Sequence, residues 1–210
     1  IRPHAGNQEN KTMSLLDMLQ DQLAGGAAEQ IGKQMGTDQA GAQKAIGAAL
    51  PALMAALAGN AKRPEGAASL AQALDKKHDG SVLDDLPGFL SRGDTKDGLG
   101  ILKHALGGRQ PAVETEVAKQ TGLDPKAIAG LLPMLAPIVM GALGRQKKQQ
   151  GLDVGALASM LSGEGQRAKE MAPGALGMLG GLLDDEGDGL DAGDIADAGK
   201  KLLGGFLKNR

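Results

Sequence analysis

Almost no aromatic side chain is available to this chain for building a core. Trp and Tyr are absent, and Phe occurs only at Phe89 and Phe206. The core must therefore be filled by Leu, Ala, Met, Ile and Val, with Gly and Ala permitting close approach of backbones. Small residues suit closely packed helices because they lower the ridges between neighbours, whereas sheets favour β-branched and aromatic residues. The sequence predicts an all-α, multihelical fold.

The chain has a formal net charge of −2 and no cysteine. Proteins that bind nucleic-acid backbones usually carry a strong positive bias, so we do not expect nucleic acid as the main partner. Without cysteine the chain has no disulfide framework, thiol nucleophile or thiolate metal site. We expect a cytoplasmic protein, because the reduced cytoplasm is the default location for such a chain.

The first twelve residues, IRPHAGNQENKT, are polar and show no periodicity. We interpret residues 1–12 as a disordered expression scar or upstream leader, since they lack the apolar core of a secretion signal. The most apolar stretch, residues 131–143, contains Pro133 and Pro137 and is too short to span a bilayer. We therefore expect no membrane span.

Helix-start signals recur along the chain. Ser14 with Asp17 forms a capping-box pattern, Asp38 is placed as an N-cap, and Pro64 stands where a first-turn proline belongs. Residues 91–98 are typical of a linker. The glycines of GLGILKHALGG, residues 98–108, are interpreted as flexible joints because they match no phosphate-binding loop.

The second half of the chain repeats the first. A shift of 86 residues aligns Lys33–Gln34 with Lys119–Gln120, Gly36 with Gly122, Asp38 with Asp124, Pro51 with Pro137, and Met54 with Met140. Matches of Lys, Gln, Asp, Pro and Met in one register are not explained by the Ala and Gly bias, so an internal duplication is predicted. We expect two tandem helical repeats, residues 13–92 and 111–210, joined by a linker and connecting helix at residues 93–110.

Three segments resemble a known family: GILKHALGGRQ (residues 100–110), VAKQTGLD (residues 117–124) and LLPMLAPIVMGALGRQ (residues 131–146). They resemble the YidB-like bacterial family, domain of unknown function 937, and the resemblance extends from Ser14 to the C-terminal helix. It implies an all-helical, mostly cytoplasmic protein, and it implies no mechanism because the role of the family is not established. Members often carry a DxDGDGS loop followed by paired aspartates, of which this chain has only degenerate versions.

An acidic loop near the C-terminus, residues 182–197, is the strongest candidate for a metal site. Asp184, Glu186 and Asp188 fall at positions 1, 3 and 5 of an EF-hand-like loop, with Gly189 at the turn position. Position 12, normally a bidentate Glu, is Ile195. Two interpretations stay open, a weak Ca²⁺ site and a solvated acidic loop, and the second is favoured. The candidate Ca²⁺ ligands are Asp184, Glu186, Asp188, Asp191 and Asp194.

The corresponding motif in the first half, residues 75–86, has Lys77 at a ligand position. An ammonium group there opposes a divalent cation, so we interpret this motif as a turn. Asp84 and Asp85 are expected to face water or to cap a short helix.

Two segments have the spacing of a helix-turn-helix. The positions are Ala118, Gly122, Ile128 and Leu131 in the second half, and Gly32, Gly36, Ala42 and Ala45 in the first. The second helix of the later segment, PKAIAGLLPMLAP, has one Lys and no Arg, Asn or Gln to read base edges. An αα-corner is therefore favoured over DNA binding.

No arrangement of residues predicts catalysis. His4, His78 and His104 stand at no spacing typical of a triad or a zinc pair. The basic segment RQKKQQ, residues 145–150, is interpreted as a solvated helix end and loop. We expect no enzyme, no cofactor other than the Ca²⁺ alternative, and no small-molecule substrate.

The apolar helix after residue 130 carries a face that one small repeat cannot easily bury. We expect it to stack on the sister repeat or on another subunit. The candidate interface residues are Leu132, Met134, Leu135, Ile138, Val139, Met140 and Leu143. The sequence thus predicts a non-enzymatic interaction or structural module that self-associates. A weak Ca²⁺-responsive binding module is the alternative, and a DNA-binding helix-turn-helix protein ranks third.

Overall fold

The computed structural model describes residues 14–171, which form α-helices and two short 3₁₀ helices and contain no strand. The all-α, multihelical prediction is confirmed for this part of the chain. All of these residues belong to one compact unit, Ile1–Leu179. The α-helices are α1 (Leu15–Leu23), α2 (Gly26–Met35), α3 (Gln39–Ala61), α4 (Pro64–Lys77), α5 (Leu86–Arg92), α6 (Lys96–Leu106), α7 (Gln110–Thr121), α8 (Pro125–Gln150) and α9 (Val154–Met171), and the 3₁₀ helices are Ser81–Leu83 and Gly107–Arg109.

The three predicted helix starts are confirmed, two of them by capping bonds and the third by its proline. The Ser14 hydroxyl accepts the Asp17 backbone N–H at 3.1 Å, and the Asp17 carboxylate accepts the Ser14 N–H at 3.3 Å. Asp38 accepts the N–H of Gly41 at 2.7 Å and so caps α3. Pro64 is the first residue of α4, where its missing N–H leaves no helical hydrogen bond unmade.

Two connections in the chain have the same local form. α2 ends on Gly36 and α7 ends on Gly122, both in the left-handed conformation, at φ +71° and +73°. Asp38 and Asp124 then cap the helices that follow. Glycine suits these positions because it adopts positive φ without a steric penalty. The tandem repeat with αα-corners, and its boundaries, stay predictions.

The core lies along α3 and α8, the two longest helices, which contact each other. Residues 49–58 of α3 and residues 131–144 of α8 are buried without exception. Most of the other helices pack around this pair. α1, α2, α4, α7 and α9 contact α3, and α4, α6 and α7 contact α8, whereas α5 packs on α2. By length and composition alone both helices could cross a membrane, but the core helices of other proteins pass the same test. Here 67% of the most apolar window of α3 and 83% of that of α8 are buried inside the protein.

Two prolines stand inside α8, at Pro133 and Pro137. Because Pro137 has no N–H, the carbonyl oxygen of Pro133 lacks its usual helical donor. Gly98 of α6 packs against this oxygen so closely that a Cβ on Gly98 would overlap it. Gly98 is therefore a packing position inside α6 rather than part of a linker or a flexible joint. The connection between α5 and α6 is residues 93–95, which is shorter than the linker predicted at residues 91–98.

Candidate functional site

A polar cleft of about 250 Å³ opens where the α4–α5 loop (residues 78–85) meets the C-terminal half of α8. Both signs of charge line it, with carboxylates on the loop side and cationic groups on the helix side. The lining residues are Asp79, Gly80, Ser81, Asp84, Arg145, Lys148 and Gln149. We treat this cleft as the candidate site because charged groups from distant parts of the chain converge in it.

The α4–α5 loop is shaped by its own short side chains. The Asp79 carboxylate accepts the backbone N–H of Ser81 at 3.1 Å, which forms an Asx turn. This N–H and the Ser81 side chain lower the pKa of Asp79 from its ordinary value. Gly80 follows at φ +100°, and Asp85 caps α5 by accepting the N–H of Gly88 at 3.0 Å. The loop is a turn, as the sequence predicts, and Asp85 has the predicted capping role.

Glycines on α8 let the backbone of this loop lie directly on the helix. A Cβ on Gly144 would overlap the carbonyl oxygen of His78, and one on Gly141 would overlap the side chain of Val82. With hydrogen in place of these side chains, the loop reaches the helix surface. The next residue of the helix, Arg145, is then close enough to bond to the loop.

Arg145 bonds to the α4–α5 loop, and Lys147 forms an ion pair with the last turn of α4. The Arg145 guanidinium donates to the carbonyl oxygen of Gly80 at 2.6 Å and to the Asp84 carboxylate at 2.5 Å. The Lys147 ammonium lies 2.5 Å from the Asp75 carboxylate. Among residues 14–171 no group of three or more His, Asp or Glu side chains is placed to hold a metal ion.

The prediction of a solvated helix end and loop at residues 145–150 holds for the exposed residues 148–150, but it is wrong in two respects. α8 continues to Gln150, so there is no loop within the segment. The side chains of Arg145 and Lys147 are only 31% and 16% exposed, because both pack against the first half of the chain.

His78 is buried at the end of α4, beside the cleft. Its Nε2 lies 3.8 Å from the carboxylate of Asp97 in the first turn of α6. Burial lowers the pKa of His78 below its ordinary value of 6.5, Asp97 opposes this effect, and Lys77 adds to it. Sequence reasoning places His78 in a turn and misses its burial, since nothing near it in the chain identifies Asp97 as its neighbour.

Glu164 is a second buried polar residue that the sequence did not identify. Its carboxylate accepts the backbone N–H of Leu16, at the start of α1, at 3.4 Å. A carboxylate at a helix N-terminus is favoured by the helix dipole and by unsatisfied N–H groups there. The guanidinium of Arg167 lies 3.7 Å away on the solvent side. Glu164 thus joins α9 to α1.

Gln30 and Gln34 on α2 are likewise missed by sequence reasoning. The Gln34 amide donates to the carbonyl oxygen of Leu90 at 2.5 Å, and the Gln30 amide donates to the Ser91 hydroxyl at 2.6 Å. These bonds hold α5 on α2. A glutamine on a helix face carries no signal in the sequence that distinguishes this role from ordinary exposure.

The predicted interface residues lie together on α8, inside the single chain. None is more than 6% exposed, and the set is Leu132, Met134, Leu135, Ile138, Val139, Met140 and Leu143. A second chain cannot reach this face while the fold is closed. The candidate Ca²⁺ ligands Asp184, Glu186, Asp188, Asp191 and Asp194 lie outside the described residues, as does His4.

Comparison with protein families identifies the chain. A family model described as a bacterial protein of unknown function, DUF937, matches residues 17–146. The chain belongs to this family. The match confirms the YidB-like resemblance, and it ends inside α8, before α9 begins. No curated protein and no solved structure matches the chain.

Proposed function

We propose that this chain is a non-enzymatic interaction module whose first partner is a further copy of itself. The observation that supports the proposal is how the first half (residues 14–92) and the second half (residues 96–171) hold each other. Polar links join them at widely separated points of the sequence. These links are Arg145 with Gly80 and Asp84, Lys147 with Asp75, His78 with Asp97, and Glu164 with Leu16.

This arrangement resembles a protein–protein interface within one chain. It has an apolar centre along α3 and α8 and charged links at the rim, the usual anatomy of a specific interface. The buried polar side chains lie at helix ends or join helices: Ser14 caps α1, Glu164 accepts an N–H of α1, and His78 lies beside Asp97 in the first turn of α6. Thr121 donates to the carbonyl oxygen of Val117 in its own helix. These polar groups position helices, which favours a binding role over catalysis.

Self-association is tested by light scattering coupled to size-exclusion chromatography over a wide concentration range. We expect a mass above that of one chain, increasing with concentration. In parallel, a tagged copy and an untagged copy are co-expressed, with an unrelated tagged helical protein as the control. A single-chain mass at every concentration, together with no capture of the untagged copy, would contradict the proposal.

The alternative is a weak Ca²⁺-responsive binding module that uses Asp184, Glu186 and Asp188. Its support is the spacing of these carboxylates in the sequence. Calorimetric titration with Ca²⁺ tests it, with Asp184→Asn combined with Asp188→Asn as the control. A heat of Ca²⁺ binding that is present in the parent protein and absent in the double variant would support this function. No heat of binding at millimolar Ca²⁺ would exclude it.

A DNA-binding role ranks third. Ile128 and Leu131 are buried, and Lys126 is the one charged side chain in the first six residues of α8. Base readout needs several polar side chains on an exposed helix face. Retardation of duplex DNA at low salt would reverse this ranking. We further propose a cytoplasmic location, no membrane span, and no cofactor or small-molecule substrate other than the Ca²⁺ alternative.

A further inference from the structure

The charged groups in the polar cleft do not use all of their hydrogen-bonding capacity on one another. Arg145 bonds both to the carbonyl oxygen of Gly80 and to the Asp84 carboxylate through the same nitrogen, Nη2. The Nε and Nη1 groups of this guanidinium keep their N–H donors, since a guanidinium carries five of them in a fixed fork. Arg145 can therefore hold a further acceptor in the cleft without giving up the loop.

Asp79 and Lys148 face each other across the cleft without forming an ion pair. Both side chains line it, and among residues 14–171 Lys148 makes no ion pair or hydrogen bond. The N–H and hydroxyl groups of Ser81 lower the pKa of Asp79 most, and the charge of Lys148 lowers it further. The two charges are thus close enough to act on each other, with a gap between them that a ligand can fill.

The donors stand on one wall of the cleft and the acceptors on the other. Arg145, Lys148 and Gln149 are three and four residues apart, which places their side chains on one face of α8. The Gln149 amide makes no hydrogen bond within the described part of the chain. On the loop opposite, Asp84 has one carboxylate oxygen that Arg145 does not use. The helix wall offers N–H groups and positive charge, and the loop wall offers oxygens and negative charge.

This division of charge favours a ligand that carries both signs. Two cations and two carboxylates line the cleft, so it has no net charge. A phosphate would meet the carboxylates of Asp79 and Asp84, and a divalent cation would meet Arg145 and Lys148. A molecule with an ammonium group at one end and a carboxylate at the other is attracted by both walls.

The volume of the cleft limits the size of such a molecule. About 250 Å³ corresponds to the volume of roughly eight water molecules. One small amino acid fills this space, whereas a folded peptide segment exceeds it. Because charges near the protein surface attract each other weakly in water, we expect a Kd on the order of 1–10 mM.

We propose that the cleft between the α4–α5 loop and α8 binds a small zwitterion of the amino-acid class. Its ammonium group bonds to Asp79 and Asp84. Its carboxylate bonds to Lys148, Gln149 and the unused N–H groups of Arg145. The ligand is bound and not converted, and the proposal does not depend on self-association.

Nuclear magnetic resonance titration of the ¹⁵N-labelled full chain tests the proposal. Glycine, β-alanine and 4-aminobutyrate are added separately, because they differ in the distance between their two charges. We expect saturable shifts of the amide signals of residues 79–84 and 145–149 with at least one of them. Acetate and methylammonium added together are the control, since they carry the same two groups without the covalent link that lets one bound end position the other.

Two outcomes of the titration would overturn the proposal. One is the lack of a saturable shift with all three amino acids at about 100 mM, well above the expected Kd. The other is a shift of equal size with the unlinked ions, because the cleft would then act as a charged surface and not as a site for one molecule.

Substitutions on the two walls show whether the ligand lies in the cleft. Lys148→Ala removes the cation of the helix wall, and Asp79→Asn removes a charge of the loop wall while keeping an oxygen for the N–H of Ser81. Each should weaken binding about three- to tenfold, the effect of losing one charged partner.

Matched controls come from the same kinds of residue outside the cleft. Lys126→Ala removes an exposed cation from the first turn of α8. Asp94→Asn changes a carboxylate that accepts the N–H two residues later, as Asp79 does. Both controls should bind as the parent protein does. Equal affinity in the cleft variants and the controls would place the ligand elsewhere and overturn the assignment.

Discussion

Gly98 and Gly100 lie two residues apart on α6, yet we expect opposite effects when each is replaced by Ala. A Cβ at Gly98 would overlap the carbonyl oxygen of Pro133, a backbone atom that cannot rotate away. At Gly100 a Cβ would meet nothing within 4 Å. Both glycines lie on the same helix and receive the same substitution. The difference in stability between the two variants therefore measures the contact between α6 and α8.

The magnitude follows from two opposing effects. Ala in place of Gly stabilises a helix interior by about 0.5–1 kcal/mol. Overpacking a well-packed contact typically costs about 1–3 kcal/mol, and the overlap with a rigid backbone atom places Gly98 at the upper end. We therefore expect Gly98→Ala to lower the free energy of unfolding by about 2 kcal/mol and Gly100→Ala to raise it by about 0.5–1 kcal/mol.

Thermal unfolding followed by far-ultraviolet circular dichroism measures both variants. For a chain of this size, 1 kcal/mol corresponds to a change in Tm of about 2–4 °C. Gly98→Ala should therefore melt about 4–8 °C below the parent protein, and Gly100→Ala slightly above it. Equal or greater stability of Gly98→Ala relative to Gly100→Ala would show that α6 does not pack on the Pro133 carbonyl group in this way.

Three further predictions concern the links between the halves. Glu164→Ala should reduce the free energy of unfolding by about 1–2 kcal/mol, because the N–H of Leu16 loses a charged acceptor. The control is Glu170→Ala, an exposed residue of α9 whose replacement should change the free energy of unfolding little in urea denaturation. Equal losses of stability in the two variants would refute the bond between Glu164 and Leu16. His78 has a lowered pKa in the folded state, so its contribution to stability is complete above pH 6.5 and is lost as the pH falls through the folded pKa. In the variant His78→Asn the urea midpoint should depend less on pH than in the parent protein. If the midpoint changes with pH between pH 5 and pH 7 as steeply as before, His78 is not the source of the pH dependence. Arg145→Ala should speed amide hydrogen exchange in residues 79–84 but cost only about 1 kcal/mol overall, because Asp84 is 71% exposed. Lys126→Ala, an exposed cation at the other end of α8, serves as the control for that experiment, and similar exchange in both variants would count against the role of Arg145.

Local patterns in the sequence account for the class of fold and the helix starts. The lack of aromatic residues predicts helices, and Ser14, Asp38 and Pro64 mark where three of them begin, because capping depends on residues within one turn. The contacts of Gly98 and Gly100 could not be predicted, because the two glycines have nearly the same neighbours in the chain. Only the position of Pro133 on another helix distinguishes them.

In the candidate site, too, the local features could be predicted from the sequence and the contacts between distant residues could not. The α4–α5 loop is predicted as a turn because Asp79 and Gly80 form it locally. Its partner Arg145 lies more than sixty residues away, and a basic segment at a helix end is normally solvated. The burial of His78 and Glu164 is missed for the same reason, since each depends on the other half of the chain.

The close approach of Gly165 to Ala58 couples the volumes of two distant positions. A larger side chain at either position fits only if the other stays small or the helices separate. Among related chains, substitutions at these two positions should therefore be correlated. Because the family match ends before α9, a relative that lacks this helix would need polar residues in place of the buried alanines of α3. The side chain at position 58 would then indicate whether a relative possesses the covering helix.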